Sequence, residues 1–337
     1  MNIKVIGLDL AKNVFQVHGV DGSGRALLRR QLKRREVREF FAKLSPTLVG
    51  MEACGGAHYW AREMSQLGHR VKLINPKYVK PFVKTNKNDR ADAEAIAEAA
   101  SRSRTPEVPV KQAWQQDLQS LHRVRSELMR ERVALGNQMR GLLAEYGIVA
   151  AKGVSALRRA IPEILEDAQN GLSDLMRELI AEQYEHWQAL ACRIAEYQRK
   201  LRRVAREHKG CVALMEVPGI GVLGATALVA QVNNARHLKN GRELAAREGL
   251  VPSHSGTGGK ARLGHISKRG DGYIRTLLVH GARAVLRNAP RKTDRLSRWA
   301  TEVMRRRGPN VAAVALANKM ARISWALLAR GERYQPQ

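Results

Sequence analysis

Apolar residues along the chain change their period, and the changes divide it into three stretches. From residue 3 to 75 they fall in short runs and alternations. Residues 3 to 10, Ile-Lys-Val-Ile-Gly-Leu-Asp-Leu, form an apolar run ending in an acid. Val14 to Val20 alternates as a second strand before the turn Asp21-Gly22-Ser23-Gly24. The same reading gives a third strand around Ala26 to Arg30, a basic helix around Arg34 to Lys43 and a strand at Leu48 to Glu52. A helix at His58 to Leu67 and a strand at Val71 to Asn75 follow. From Asp89 the residues Asp-Arg-Ala-Asp-Ala-Glu-Ala-Ile favour helix, and Pro106 and Pro109 then punctuate the chain. The pattern predicts a mixed α/β domain over residues 1–110.

Between about residues 112 and 208 the strand pattern gives way to heptads. Leu121, Leu128, Leu135 and Leu142 recur every seven residues, while Trp187, Leu190, Ile194, Tyr197, Leu201 and Val204 alternate three and four apart. Two long helices broken around Gly147 to Pro162 are expected, forming an antiparallel coiled-coil arm over residues 111–209 that packs within the chain or pairs two chains. The remaining stretch, 210–337, reads as mainly helical. It opens with Val217-Pro218-Gly219-Ile220-Gly221, which resembles a helix-hairpin-helix element whose Gly219 and Gly221 let backbone N–H groups approach a phosphate. An ordinary tight turn is the plainer alternative. The fold class is thus α/β plus α.

Charge narrows the partners. Among 337 residues, 59 Lys and Arg face 31 Asp and Glu, a formal net charge of +28, so nucleic acid is the first partner to expect. No apolar run is expected to approach the roughly 20 residues of a membrane span. The first residues lead directly into a strand pattern rather than into a charged and then apolar segment. A cytoplasmic, nucleoid-associated protein with no membrane partner is expected. Cys54, Cys192 and Cys211 are far apart, with no zinc-like spacing, so free thiols are expected and any metal should be held by oxygen.

Four acids stand out on this layout. Asp9 ends the first strand, Glu52 ends the strand at 48–52, and Asp89 and Asp92 lie three apart on one helix face. An RNase-H-like or resolvase-like (RuvC-like) mixed sheet gathers such a set at one edge. Phosphodiester cleavage with Mg²⁺ uses two ions roughly 4 Å apart, which requires several hard oxygen ligands to converge. Singly, each acid also reads as a strand-end or cap carboxylate, Asp89 as an N-cap for instance. An actin-like kinase fold also begins with Gly-x-Asp, but its further glycine-rich phosphate loops are missing from the sequence.

In the last third, Gly249-Leu250-Val251-Pro252-Ser253-His254-Ser255-Gly256-Thr257-Gly258-Gly259-Lys260 reads as a hydroxyl-rich, glycine-rich loop. A basic run from Ile266 to Arg275 follows it. The glycines with Lys260, Arg262, Lys268, Arg269 and Arg275 suit a phosphate cradle, and a hydroxyl among them is a candidate nucleophile for a covalent DNA ester. Composition alone favours a passive phosphate-binding loop.

Several segments together carry a resemblance. They are Gly7-Leu8-Asp9 with Ala11-Lys12, Glu52-Ala53 with Gly55, Asn75-Pro76, Lys87-Asn88-Asp89-Arg90-Ala91-Asp92-Ala93, Pro218-Gly219-Ile220-Gly221, Gly249-Leu250-Val251-Pro252, and Gly264 with Ile266-Ser267-Lys268-Arg269-Gly270. In this order the chain resembles the bridge-RNA-guided IS110 family of insertion-sequence transposases, IS1111 branch. The resemblance implies that Asp9, Glu52, Asp89 and Asp92 are catalytic acids binding Mg²⁺, two ions by the expected chemistry. It further implies that a C-terminal serine bonds transiently to DNA, that a structured noncoding guide RNA is a partner, and that the protein works as a homo-oligomer, dimer or tetramer. Counted from the Gly-Leu-x-Pro motif, the nucleophile falls on Thr257 before Gly258, with Ser255 as the alternative and Ser267 as a phosphate ligand. The expected function is DNA strand cleavage and exchange by a transposase. A metal-dependent junction nuclease with no covalent intermediate and a non-enzymatic basic nucleic-acid-binding protein are the rivals.

Overall fold

The computed structural model describes residues 2–83, 89–257 and 260–335, with backbone only at Asp89, Thr257 and Ala261. The chain divides into two compact units, Met1–Gln116 and Asp117–Gln337.

In the first unit, β1 (Val5–Leu10), β2 (Val14–Val20) and β3 (Ala26–Lys33) precede α1 (Val37–Ala42), β4 (Leu48–Glu52), α2 (Ala57–Gln66) and β5 (Arg70–Ile74). Then come α3 (Pro76–Val79), α4 (Asp89–Ser101) and β6 (Glu107–Val108). The sheet has the order β3-β2-β1-β4-β5-β6. β1 pairs antiparallel with β2 and parallel with β4, and β4 is parallel to β5. Asp21 closes the first hairpin, its Oδ1 accepting from the amides of Ser23 at 2.8 Å and Arg25 at 3.0 Å. β6 goes unpredicted because it lies between Pro106 and Pro109, yet an edge strand tolerates flanking prolines that a central one would not. Sheet residues Ile6, Leu8, Val49 and Met51 pack with Phe41, Trp60 and Met64 of α1 and α2 in one core. A second core joins Val5, Val20 and Ile74 to the alanine-rich α4.

The second unit begins within α5 (Ala113–Ala144) and continues through α6 (Val154–Glu166) and α7 (Asp174–Glu207). Leu128, Leu135, Met139 and Leu143 share a core with Leu157 and Ile161 of α6 and with Ile180, Tyr184, Trp187 and Ile194 of α7. The expected break at Gly147 to Pro162 therefore needs correction, since it contains a helix with Pro162 inside it. Proline removes the N–H that would bond the carbonyl four residues back. Tyr184 Oη supplies a donor there, 2.9 Å from the Arg158 carbonyl, while Leu157 and Ile161 are buried.

After α7 come α8 (Lys209–Met215), α9 (Val222–Val232), α10 (Gly241–Arg247), β7 (Pro252–Thr257) and β8 (Lys260–Ile266). The chain then runs through α11 (Gly272–Asn288), α12 (Arg295–Arg307) and α13 (Pro309–Arg330). α13 corrects the expectation that nothing is apolar over a spanning length. Its 22 residues, with mean hydropathy 1.3 in their most apolar window, pass by length and composition. Polar Asn310, Asn318, Lys319 and Arg322 disguise the run in the sequence. Ala313, Leu316, Ala317 and Met320 are buried in the core of this unit, which is what makes the helix apolar.

Candidate active site

The acids owe their placement to a pattern that occurs twice. Gly50-Met51-Glu52 ends β4, while Gly7-Leu8-Asp9 stops one residue short of the end of β1 at Leu10, and the strands pair with Gly7 beside Gly50 and Leu8 beside Met51. Side chains alternate along a strand, so Leu8 and Met51 enter one core while Asp9 and Glu52 emerge on the glycine face, one strand apart. α4 covers that face. A Cβ on Gly7 would lie 2.0 Å from the Ala93 carbonyl oxygen, and one on Gly50 would lie 2.5 Å from the Ala100 methyl. The two glycines admit the helix, and the acids follow one strand repeat later. Asp92 precedes Ala93, so it stands on the turn of α4 that crosses β1 at Gly7. Asp89 opens the same helix, and its side chain lies outside the described residues.

Asp9, Glu52 and Asp92 are each half-buried. The Cys54 thiol registers the field of two of them: loss of solvation raises its pKa, and the charges of Glu52 and then Asp9 raise it further. The donor set is all carboxylate oxygen, which suits a hard divalent cation such as Mg²⁺. Among the described residues no three His, Cys, Asp or Glu side chains are grouped closely enough to hold a metal ion. The structure thus brings Asp9 and Glu52 onto neighbouring strands and Asp92 onto the covering helix. The fourth acid of the expected set is outside that comparison.

In the second unit the expected glycine-rich loop is a two-stranded antiparallel ribbon, β7 against β8, and the expectation is corrected accordingly. The Ser, His and Gly residues of this segment carry no hydrophobic alternation, so only the pairing reveals the strands. Gly258 and Gly259 lie outside the described residues. Ser255 pairs with Arg262, and the backbone of Thr257 pairs with Lys260. Ser255, Lys260 and Arg262 are exposed, and the Thr257 side chain is not described. The register therefore sets a hydroxyl directly across from a cation.

The basic block behind the ribbon is pinned by backbone contact. Gly249 has φ +69°, and a Cβ there would lie 2.1 Å from the Arg269 carbonyl oxygen; Gly270 has φ +92°, and a Cβ would lie 1.7 Å from that of Arg247. Only glycine fits such crossings. Ser267 donates its amide to the Val251 carbonyl at 2.8 Å, and its Oγ accepts from the Arg269 amide at 3.4 Å. Arg275 Nη1 donates to the Glu248 carbonyl at 3.0 Å, so this predicted DNA contact also ties the block to α10. Lys268 and Arg269 remain exposed. Asp271 caps α11 through the amides of Tyr273 and Ile274, which occupies that helix N-terminus with a carboxylate.

Gly219 and Gly221 part company. Gly219, at φ +90°, packs against α11, where a Cβ would lie 2.8 Å from the Gly281 carbonyl oxygen. Gly221 is exposed at the start of α9 with open space around it. Sequence reasoning also missed Glu248. It is fully buried, neither carboxylate oxygen has a hydrogen-bond partner among the described residues, and burial first, then Asp271, pushes its pKa up to about 8. A lone acid beside Gly-Leu-Val-Pro gave no signal of this.

Comparisons with known proteins agree with this layout. The DEDD transposase family of IS110 type matches residues 6–148, and the transposase IS116/IS110/IS902 family matches residues 211–297. A "Probable family 20 transposase" of Pseudomonas aeruginosa is 52% identical over 337 residues, covering 100% of both chains. The transposase for insertion sequence element IS1111A of Coxiella burnetii is 43% identical over 334 residues, 99% of this chain and 92% of that one. The transposase for IS1328 of Yersinia enterocolitica is 40% identical over 332 residues, 98% of each. With a mixed six-stranded sheet consistent with a RuvC-like DEDD domain, and with relatives matched over nearly their full length, the chain belongs to the IS110 family of insertion-sequence transposases.

Proposed function

We propose that this transposase cuts and rejoins DNA through a transient protein–DNA ester, with Asp9, Glu52, Asp89 and Asp92 as ligands for Mg²⁺ and Thr257, or else Ser255, as the nucleophile. The observation that carries the reading is the repeated Gly-x-acid register of β1 and β4 under α4. Bound Mg²⁺ supplies charge neutralisation and polarisation of the phosphate. The acids hold and orient the cations. The hydroxyl on β7 loses its proton and bonds to phosphorus while one phosphorus–oxygen bond to deoxyribose breaks, and that oxygen leaves as a hydroxyl. Attack by the hydroxyl of a partner strand reverses the step and frees the side chain. One ester replaces another throughout, so rejoining needs no ATP. Lys260 and Arg262 across the ribbon, with Lys268 and Arg269 behind it, grip the phosphates. Guidance by a structured noncoding RNA and assembly as a dimer or tetramer belong to the same proposal, supported by the family resemblance.

The test is denaturing-gel detection of a covalent protein–DNA adduct, on junction DNA carrying the element's ends with its cognate RNA and Mg²⁺. An adduct lost in Thr257→Ala and in Asp9→Ala but kept in Ser255→Ala is expected. Loss only in Ser255→Ala and Asp9→Ala moves the nucleophile two residues. Cleavage with no adduct in any lane overturns the ester in favour of a junction nuclease.

A further inference from the structure

We infer that a groove in the second unit, beside the root of the β7–β8 ribbon, binds a single-stranded segment of polynucleotide. The groove is about 1580 Å³ and is bounded by Pro252, Gly264 and Ile266 of the ribbon, by α10 and by one side of α13. Five cations line it: Arg242, Lys268, Arg283, Lys319 and Arg322. No Asp or Glu does. None of the five forms an ion pair among the described residues. Arg242, Lys268, Arg283 and Arg322 are exposed, and Lys319 is half-buried. Uncompensated positive charge in a concavity focuses the field on an incoming anion.

Two further features choose among anions. A small-molecule site occupies roughly 300–1,000 Å³, so this volume suits a segment of a polymer. The wall between the cations is apolar and aromatic, with Trp299 and Trp325 lining it. Trp325 Nε1 donates to the Leu238 carbonyl at 3.1 Å, which satisfies its polar edge. Lys319 Nζ lies 4.5 Å from the centroid of Trp299, so a cation and an indole are presented together. Alternating phosphate and flat apolar face is the chemistry of unpaired nucleotides, because a duplex turns its base faces inward. Asn318 Nδ2 donates to the Leu250 carbonyl at 3.1 Å and joins the groove wall to the Gly-Leu-Val-Pro segment that leads into β7. The groove thus opens three residues before Ser255, about 10 Å along the strand. The inference deepens the recombinase reading and takes from it only the identity of the polymer.

The experiment measures binding of labelled single-stranded DNA, single-stranded RNA of the same sequence, and the blunt DNA duplex, over a range of salt. The full-length parent is compared with the double variant Lys319→Gln, Arg322→Gln and with Trp299→Leu. Each neutralised phosphate contributes about 0.7 to the salt slope of single-strand binding, so the double variant should lower that slope by about 1.4 and weaken binding about tenfold. Duplex binding should change much less. Trp299→Leu should weaken single-strand binding with the slope unchanged, and both variants should melt like the parent. A preference for RNA or for DNA supports the groove and names its strand. The inference is overturned by an unchanged slope, by equal loss for duplex and single strand, or by poly-glutamate competing as well as an oligonucleotide of equal charge. Adduct formation is scored on the same samples. An adduct with an indifferent groove removes this inference alone, whereas single-strand binding with no adduct removes the ester mechanism and leaves the groove.

Discussion

The two units present their chemistry in opposite ways. In the first, the carboxylates of Asp9 and Glu52 are fixed from behind: strand pairing sets their spacing, and α4 lies so close that only glycine fits beneath it. In the second, Ser255, Lys260 and Arg262 stand exposed on a ribbon whose anchorage is at its root, where Gly249 and Gly270 let backbones cross. A metal site needs oxygens placed to within fractions of an ångström, while a group that must meet a long polymer needs access. Close packing therefore lies under the acids and at the root of the ribbon, while Ser255, Lys260 and Arg262 are left open.

That contrast predicts a gradient of mutational cost. The largest effect is expected from Gly7→Ala, whose methyl would meet the Ala93 carbonyl oxygen at 2.0 Å and the Ala97 amide nitrogen at 2.6 Å. Backbone on both sides cannot yield, so a loss of about 3 kcal/mol or more is expected in denaturant melts. A loss under 1 kcal/mol would mean that α4 slides freely and that the acids are not clamped. Gly249→Ala comes next, combining φ +69° with a 2.1 Å approach to the Arg269 carbonyl oxygen. It should cost about 2 to 3 kcal/mol and impair DNA binding by displacing the basic block.

Glu248 gives an intermediate effect with a pH signature. Its folded pKa of about 8 lies above the ordinary glutamate value of 4.5, so the unfolded chain releases its proton at lower pH than the folded one. The stability this group contributes is complete below about pH 4.5 and is lost as the pH rises toward 8. Glu248→Gln should flatten that decline and raise stability at pH 8 by on the order of 2 kcal/mol. Identical melting curves across the range for parent and variant would show that the carboxyl is solvated. The smallest effect is expected at the ribbon: Ser255→Ala should leave stability within about 0.5 kcal/mol of the parent, as for exposed sites generally. A larger loss would place the ribbon under the same constraint as the acids and erase the contrast.

Much of the first unit was legible because its signals are local. The alternation from Val14 to Val20 and the run from Leu48 to Glu52 match their strands in extent, and Gly-x-acid occurs at both strand ends. β6 was hidden by the two prolines that flank it. The ribbon was hidden because its Ser, His and Gly residues carry no hydrophobic alternation, and only pairing with β8 shows the strand. The groove was illegible for a different reason. Its cations are scattered from residue 242 to residue 322, and in a chain with 59 Lys and Arg no single one stands out.

The hydrogen bond from Tyr184 to Arg158 makes the history of this arm conditional. Pro162 leaves that carbonyl without its helical donor, and Tyr184 on another helix provides a substitute. Neither residue can then be judged alone. A chain with phenylalanine at 184 would meet proline at 162 as a defect, and a chain with alanine at 162 would find the tyrosine hydroxyl redundant. The hydrogen bond thus couples two positions on different helices, and a double-mutant cycle of Tyr184→Phe with Pro162→Ala should show the loss of the hydroxyl costing less when the proline is gone.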